Sequence, residues 1–248
     1  MDKLYQTLTQ SVLPHREWKC IDTSVYFRYI VQMPTRTTQL VNDQIYHIYN
    51  RGTEKRRIFE NKREYKRFIQ TLQYYQLQGP KPKFSNFIKY KLFNPNPNKK
   101  IVEIISYCLM PNHFHLLLKQ LKEGGISEFI RKLSDSYTKY FNIKHDRVGA
   151  LFQGPFKAVL MEGDEQLIHV SRYVHLNPIA SFLVKNLGDY EWSSFKEYTE
   201  KGDSNICNKN EILNFFKSQD EYKKFVLDQI SYAQSLELIK HQIIEDKF

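Results

Sequence analysis

The stretch IVEIISYCLMPNHFHLLLK, residues 101–119, decides the reading of this chain. Residues 101–110 are mostly apolar and rich in β-branched side chains, the pattern of a buried strand. Pro111-Asn112 marks a turn, and His113 to Lys119 reads as a second strand. Alternation along that strand puts His113 and His115 on one side, and Phe114, Leu116 and Leu118 on the other, toward a core. The two imidazoles lie roughly 6.5–7 Å apart along the strand, close enough to converge on one ion. Taken alone, the pair also suits surface rings or hydrogen-bonded core rings.

Other elements extend outward from this hairpin. QIYHIYN (44–50) reads as a strand, which Asn50-Arg51-Gly52 ends because glycine tolerates turn geometry. A helix is expected over 61–77, with Tyr65, Phe68, Ile69 and Leu72 on one apolar face. Turn signals at Gly79-Pro80, Pro82 and 94–98 bracket a short strand at 84–93. Ile126, Phe129, Ile130, Leu133, Tyr137, Tyr140 and Phe141 keep helical spacing over 125–143. A loop covers 144–155 and a short strand 156–161. A further helix starts with Asp164 as N-cap and runs to about Leu176, stopped by Pro178.

The order β-α-β-β-α-β-α predicts an α+β fold, a ferredoxin-like antiparallel sheet with helices mainly on one face. Amphipathic signals at 210–232 predict an appended helical C-terminal region. The expected division is an N-terminal extension at 1–42, a central functional domain at 43–200 and a helical C-terminal extension at 201–248.

The 248 residues include 37 Lys and Arg against 27 Asp and Glu, a net charge of +10. A basic globular protein suits a polyanionic partner, because neutralised phosphates release counterions. Charge alone does not separate nucleic acid from a membrane surface, and solubility is a competing reason for it. The densest basic cluster is Lys55, Arg56 and Arg57 with Lys62, Arg63, Lys66 and Arg67 on the 61–77 helix. A solvated helix face is the plain reading and phosphate contact the functional one. Aromatics reach 15%, with core filling as their main use and base stacking as a second. Cys20, Cys108 and Cys207 form no disulfide or zinc-knuckle pattern. No apolar run approaches the ~20 residues of a membrane span, and the N-terminus lacks a signal-peptide core. A cytoplasmic chain is the expectation, with no membrane partner.

The 164–176 helix holds the second point of chemical interest. His169, Tyr173 and Asn177 are spaced i, i+4, i+8 and share a face if the helix persists. Asn177 offers an amide oxygen that suits a hard cation. The competing reading has Tyr173 packing and Asn177 merely stopping the helix before Pro178.

With these residues in view, YCLMPNHFHLLL (107–118) resembles the metal-binding strand of HUH-type single-tyrosine transposases, in particular the REP-associated tyrosine transposases and their insertion-sequence relatives. YHIYNRG (46–52), SYTKYFN (136–142), GALFQGPFKA (149–158), RYVHLNP (172–178) and YEWSSF (190–195) resemble further blocks in that family's order. The likeness covers about 44–200. It implies that His113 and His115 are metal ligands, Tyr173 the nucleophile and Asn177 the polar group completing the site. Mg²⁺ or Mn²⁺ would be the cofactor. The implied activity is cutting and rejoining of single-stranded DNA through a 5′-phosphotyrosine, at hairpin-forming palindromes in a bacterial, nucleoid-associated setting, with a homodimer for two-ended chemistry. Arg51, Arg56, Arg57, Arg63, Arg67, Arg147 and Lys157 are the expected DNA contacts. A domesticated DNA-binding protein without cleavage, and a nuclease using water, are the competing readings. The sequence leaves open whether the tyrosine helix serves its own chain or a partner.

Overall fold

A computed structural model describes residues 39–79, 82–90, 96–200 and 206–245. The N-terminal extension expected at 1–42 lies, up to residue 38, outside them. The sheet has four antiparallel strands in the order β2-β3-β1-β4. They are β1 (Ile45–Arg51), β2 (Val102–Met110), β3 (His113–Gln120) and β4 (Lys157–Leu160). The β2–β3 hairpin read from 101–119 is present, tightened by the Pro111-Asn112 turn.

Helices α1 (Lys62–Tyr75) and α3 (Gly125–Lys144) cover one face. Alternation sends Tyr46, Ile48, Phe114, Leu116 and Leu118 to that side, all fully buried. Phe68 of α1 meets Phe114 at a ring separation of 5.5 Å and Tyr137 of α3 edge-on at 4.9 Å. Such aromatic pairs stabilise by about 1 kcal/mol each beyond their buried area. Glu64, with no exposed surface, ties the two helices together through Lys144 and His145 of the α3 end, at 2.6 and 2.7 Å. The antiparallel α+β architecture expected from the sequence is therefore present.

Helix α4 (Asp164–Ala180) lies on the opposite face, over β2 and β3, so the helices are not mainly on one face as expected; β2 is apolar on both sides and is covered on both. The helical C-terminal region follows as α5 (Phe195–Thr199), α6 (Asn210–Leu213), α7 (Gln219–Leu227) and α8 (Ile230–Glu245). It packs on α4. Tyr222 of α7 is fully buried and bonds both Ser171 Oγ (3.0 Å) and His175 Nδ1 (2.7 Å). His175 Nε2 meets Ser194 Oγ at 2.8 Å, and that hydroxyl also reaches the β2 backbone at Tyr107. Burial pushes the His175 imidazole down to about 3, so it sits here neutral.

Four local expectations are corrected. The strand expected at 84–93 is a helix, α2 (Phe84–Tyr90), over its described part, because Phe84 and Phe87, three apart, both pack on Tyr74. Asp164 is not the N-cap; Gly163 is, and Asp164 sits in the first turn. Helix α4 does not stop near Leu176 but runs through Pro178 to Ala180. Leu176, Asn177, Pro178 and Ile179 are all buried there, and Gln234 of α8 donates to the Ile179 carbonyl at 3.2 Å. That packing outweighs the local preference against helix before proline. Gly52 has a φ of −64°, so turn geometry is not what requires glycine; a Cβ there would lie 2.3 Å from the Arg56 carbonyl oxygen.

Candidate functional site

The pairing register builds the site row by row on the face under α4. Arg51 pairs with His113, and Tyr49 with His115, across β1 and β3. Tyr49 also pairs with Lys157 across β1 and β4, and His115 with Cys108 across β3 and β2. Directly paired residues point to the same side of a sheet. His47, Tyr49, Arg51, His113, His115 and Lys157 therefore share one face.

His113 and His115 stand with ring centroids 4.9 Å apart at 89°. Each ring is oriented through Nδ1. Asn112 Oδ1 accepts from His113 Nδ1 at 2.6 Å, and the same amide's Nδ2 donates to the Lys55 carbonyl. His113 accordingly carries its proton on Nδ1. His115 Nδ1 meets His47 Nε2 at 2.9 Å. His47 is buried and pushed down to about 4, so it remains neutral and can accept that proton. An oriented imidazole with Nδ1 engaged is the usual support of a histidine that binds metal through Nε2. His47 was not singled out from the sequence. The available signal was its alternation with Tyr49 in YHIYN, which says nothing until the partner strand is known.

Tyr173 of α4 reaches the same place. Its ring meets His115 edge-on at 5.4 Å and His47 at 6.0 Å. Asn177, one turn on and 8% exposed, donates from Nδ2 to the Tyr173 carbonyl at 2.8 Å. Burial first, then the negative charge of Glu237 on α8, push the Tyr173 phenol up; a hydrogen bond with the Asn177 side chain works the other way. Among the described residues no three His, Cys, Asp or Glu side chains gather into a metal cluster; two imidazoles with an amide oxygen are a donor set that a divalent cation could take.

The expected DNA contacts separate. Arg51 and Lys157 share the face of the histidine pair. Arg56 and Arg57 lie in the segment beside the Pro111-Asn112 turn, where Ile58 N donates to the Pro111 carbonyl. Arg63 and Arg67 are on α1, across the sheet. Arg67 stacks on Phe84 and Tyr140 at 4.4 and 5.1 Å. Arg147 holds its own loop, donating to Asn142 Oδ1 and the Ala150 carbonyl.

Residues 81–177 match the family model described as Transposase IS200 like. His113, His115, Tyr173 and Asn177 all fall inside the matched span. Among solved structures, the chain is similar to the REP-associated tyrosine transposase bound to a REP hairpin, with a TM-score of 0.50 and 15% identity over 70% of this chain and 90% of that one. That likeness is one of fold. No curated protein matches the chain.

Proposed function

We propose that this chain cuts and rejoins single-stranded DNA, with Tyr173 as nucleophile and a divalent cation held by His113, His115 and Asn177. The observation that carries the reading is the meeting of Tyr173 with His115 at 5.4 Å within one chain. Mg²⁺ or Mn²⁺ held there would supply Lewis acidity toward a phosphate oxygen.

The residues themselves do the rest. His47 and Asn112 engage Nδ1 of the two proposed ligand rings, which leaves Nε2 of each for the cation when Nδ1 donates. Tyr173 forms a bond from its phenol oxygen to phosphorus, the bond from phosphorus to the 3′-oxygen breaks, and that oxygen leaves as a hydroxyl. The phenol proton must depart, and its raised affinity in the resting site means that substrate and cation have to lower it. A 5′-phosphotyrosine keeps the phosphodiester energy, so rejoining needs no nucleotide. The proposed substrate is a hairpin with a single-stranded flank, by analogy with the hairpin-bound structural relative, and two-ended chemistry would use a homodimer.

The test is covalent capture. The full chain, Mg²⁺ and a pool of hairpin oligonucleotides with randomised flanks should give a denaturation-resistant adduct on the peptide containing Tyr173. Tyr173→Phe should fold and give none. Cutting that survives Tyr173→Phe would establish a water-using nuclease; no adduct in either form would establish a binding protein.

A further inference from the structure

We propose that Tyr49 and Arg51, with Gln153 holding the arginine, form a cradle for a DNA phosphate beside the His113–His115 pair. The inference rests on the transposase reading above. It assigns a phosphate site to two β1 residues and to a residue of the 149–158 block that the sequence reading gave no role.

Tyr49 and Arg51 are two apart on one strand, so both point to the histidine face, roughly 6.5–7 Å apart along it. Arg51 is the register partner of His113, and Tyr49 of His115. The cradle therefore lies in the same two rows as the histidines, displaced by one strand. Lys157, on β4, extends the Tyr49 row and adds a second positive charge.

One buried group here lacks what a folded chain normally supplies, and one exposed group beside it has open donors. The Tyr49 hydroxyl is buried and has no hydrogen-bond partner among the described residues. Leaving such a group unsatisfied is costly, and in native structures it calls for a ligand or water. The Arg51 guanidinium gives its Nε to Gln153 Oε1, and its two terminal nitrogens have no acceptor among the described residues. A planar fork with open donors matches a phosphate, which accepts two parallel hydrogen bonds. The phenol hydroxyl supplies a third donor.

The support for Arg51 is rigid. Gln153 N donates to the Arg51 carbonyl at 2.8 Å, and Thr53 N to the Leu151 carbonyl at 3.0 Å. Asn50, pointing to the other face, donates from Nδ2 to the Gly154 carbonyl at 3.1 Å and accepts from Arg51 N. The 151–154 loop is thus fastened to the end of β1 before any DNA arrives. Donors fixed in advance stabilise a charged group without reorganisation. The Tyr49 phenol also contributes to raising that of Tyr173, which puts the two hydroxyls in one neighbourhood.

The experiment has two arms. In the capture assay at saturating DNA, Arg51→Ala should slow adduct formation roughly a hundredfold and Tyr49→Phe roughly tenfold. Hairpin affinity should change by less than about threefold, since one phosphate among many is lost. Tyr49→Phe should be at least as stable as wild type, because it removes an unsatisfied hydroxyl. Rates equal to wild type in both variants would overturn the cradle and leave the transposase reading standing. The second arm needs no cleavage: without metal, oligothymidylate should shift the Arg51 Nε resonance in ¹⁵N NMR, identified by its loss in Arg51→Lys. No shift overturns the cradle. A shift with no adduct from the wild type overturns the transposase reading and keeps the phosphate site.

Discussion

His47 Nε2 lies 2.9 Å from His115 Nδ1, joining a buried neutral imidazole on β1 to a proposed metal ligand on β3. The contact ties the tautomer and tilt of His115 to those of His47. His47→Ala should weaken Mn²⁺ binding roughly tenfold or more, as loss of a ligand's outer partner does. Electron paramagnetic resonance titration reads this directly, and an unchanged affinity would show that His115 needs no such support.

Cleavage should depend on the cation and binding should not. His113→Ala and His115→Ala should each abolish adduct formation while hairpin affinity persists. Full activity after exhaustive chelation would remove the cation from the reaction.

Arg67 and Arg63 should part company. Arg67 is sandwiched between Phe84 and Tyr140, so Arg67→Ala should lower stability by about 1 kcal/mol. It should leave the salt dependence of DNA binding alone. Urea unfolding together with a salt titration separates the two effects; a flattened salt slope with intact stability would return Arg67 to the DNA surface.

Glu64 gives a pH signature. Burial alone would raise its carboxyl, but hydrogen bonds from Lys144, the Glu60 backbone and His145 outweigh that and hold it below the usual range. A lowered folded value means stability present above the unfolded pKa, near 4.3, and lost as pH falls through the folded value. Glu64→Gln should cost about 2 kcal/mol near pH 7, between exposed and buried pairs. The gap to wild type should shrink below about pH 4. A gap constant across acid would mean the charge is immaterial.

Tyr222 bonds Ser171 and His175 from outside the span that carries the sequence motifs. Tyr222→Phe should destabilise by about 1–3 kcal/mol, the cost of stranding buried partners. Unaltered urea midpoints would mark the C-terminal helices as loosely attached.

How far these features could be read in advance depends on their range along the chain. His113 and His115 announce themselves because strand alternation is local, and α3 because its apolar spacing is unbroken from Ile126 to Phe141. Tyr173 and Asn177 share a helix face by spacing, and their proposed roles come from the resemblance. His47, Tyr49 and Gln153 stayed silent: their roles depend on which strand pairs with which, and in what register. The helical run through Pro178 was hidden for a related reason. A local rule spoke against it, while the packing that overrides the rule comes from α8, more than fifty residues later. Phe84 and Phe87 likewise show their helical character only against Tyr74.

The meeting of Tyr173 with His115 inside one polypeptide has a kinetic consequence. The proposed nucleophile and the proposed ligand rings, carried by the same molecule, cannot be separated by dilution. The first cut should therefore be first order in protein, with a rate per chain that stays constant as concentration falls, provided DNA remains saturating. A tyrosine borrowed from a second molecule would instead make that rate collapse below the dissociation constant of the pair.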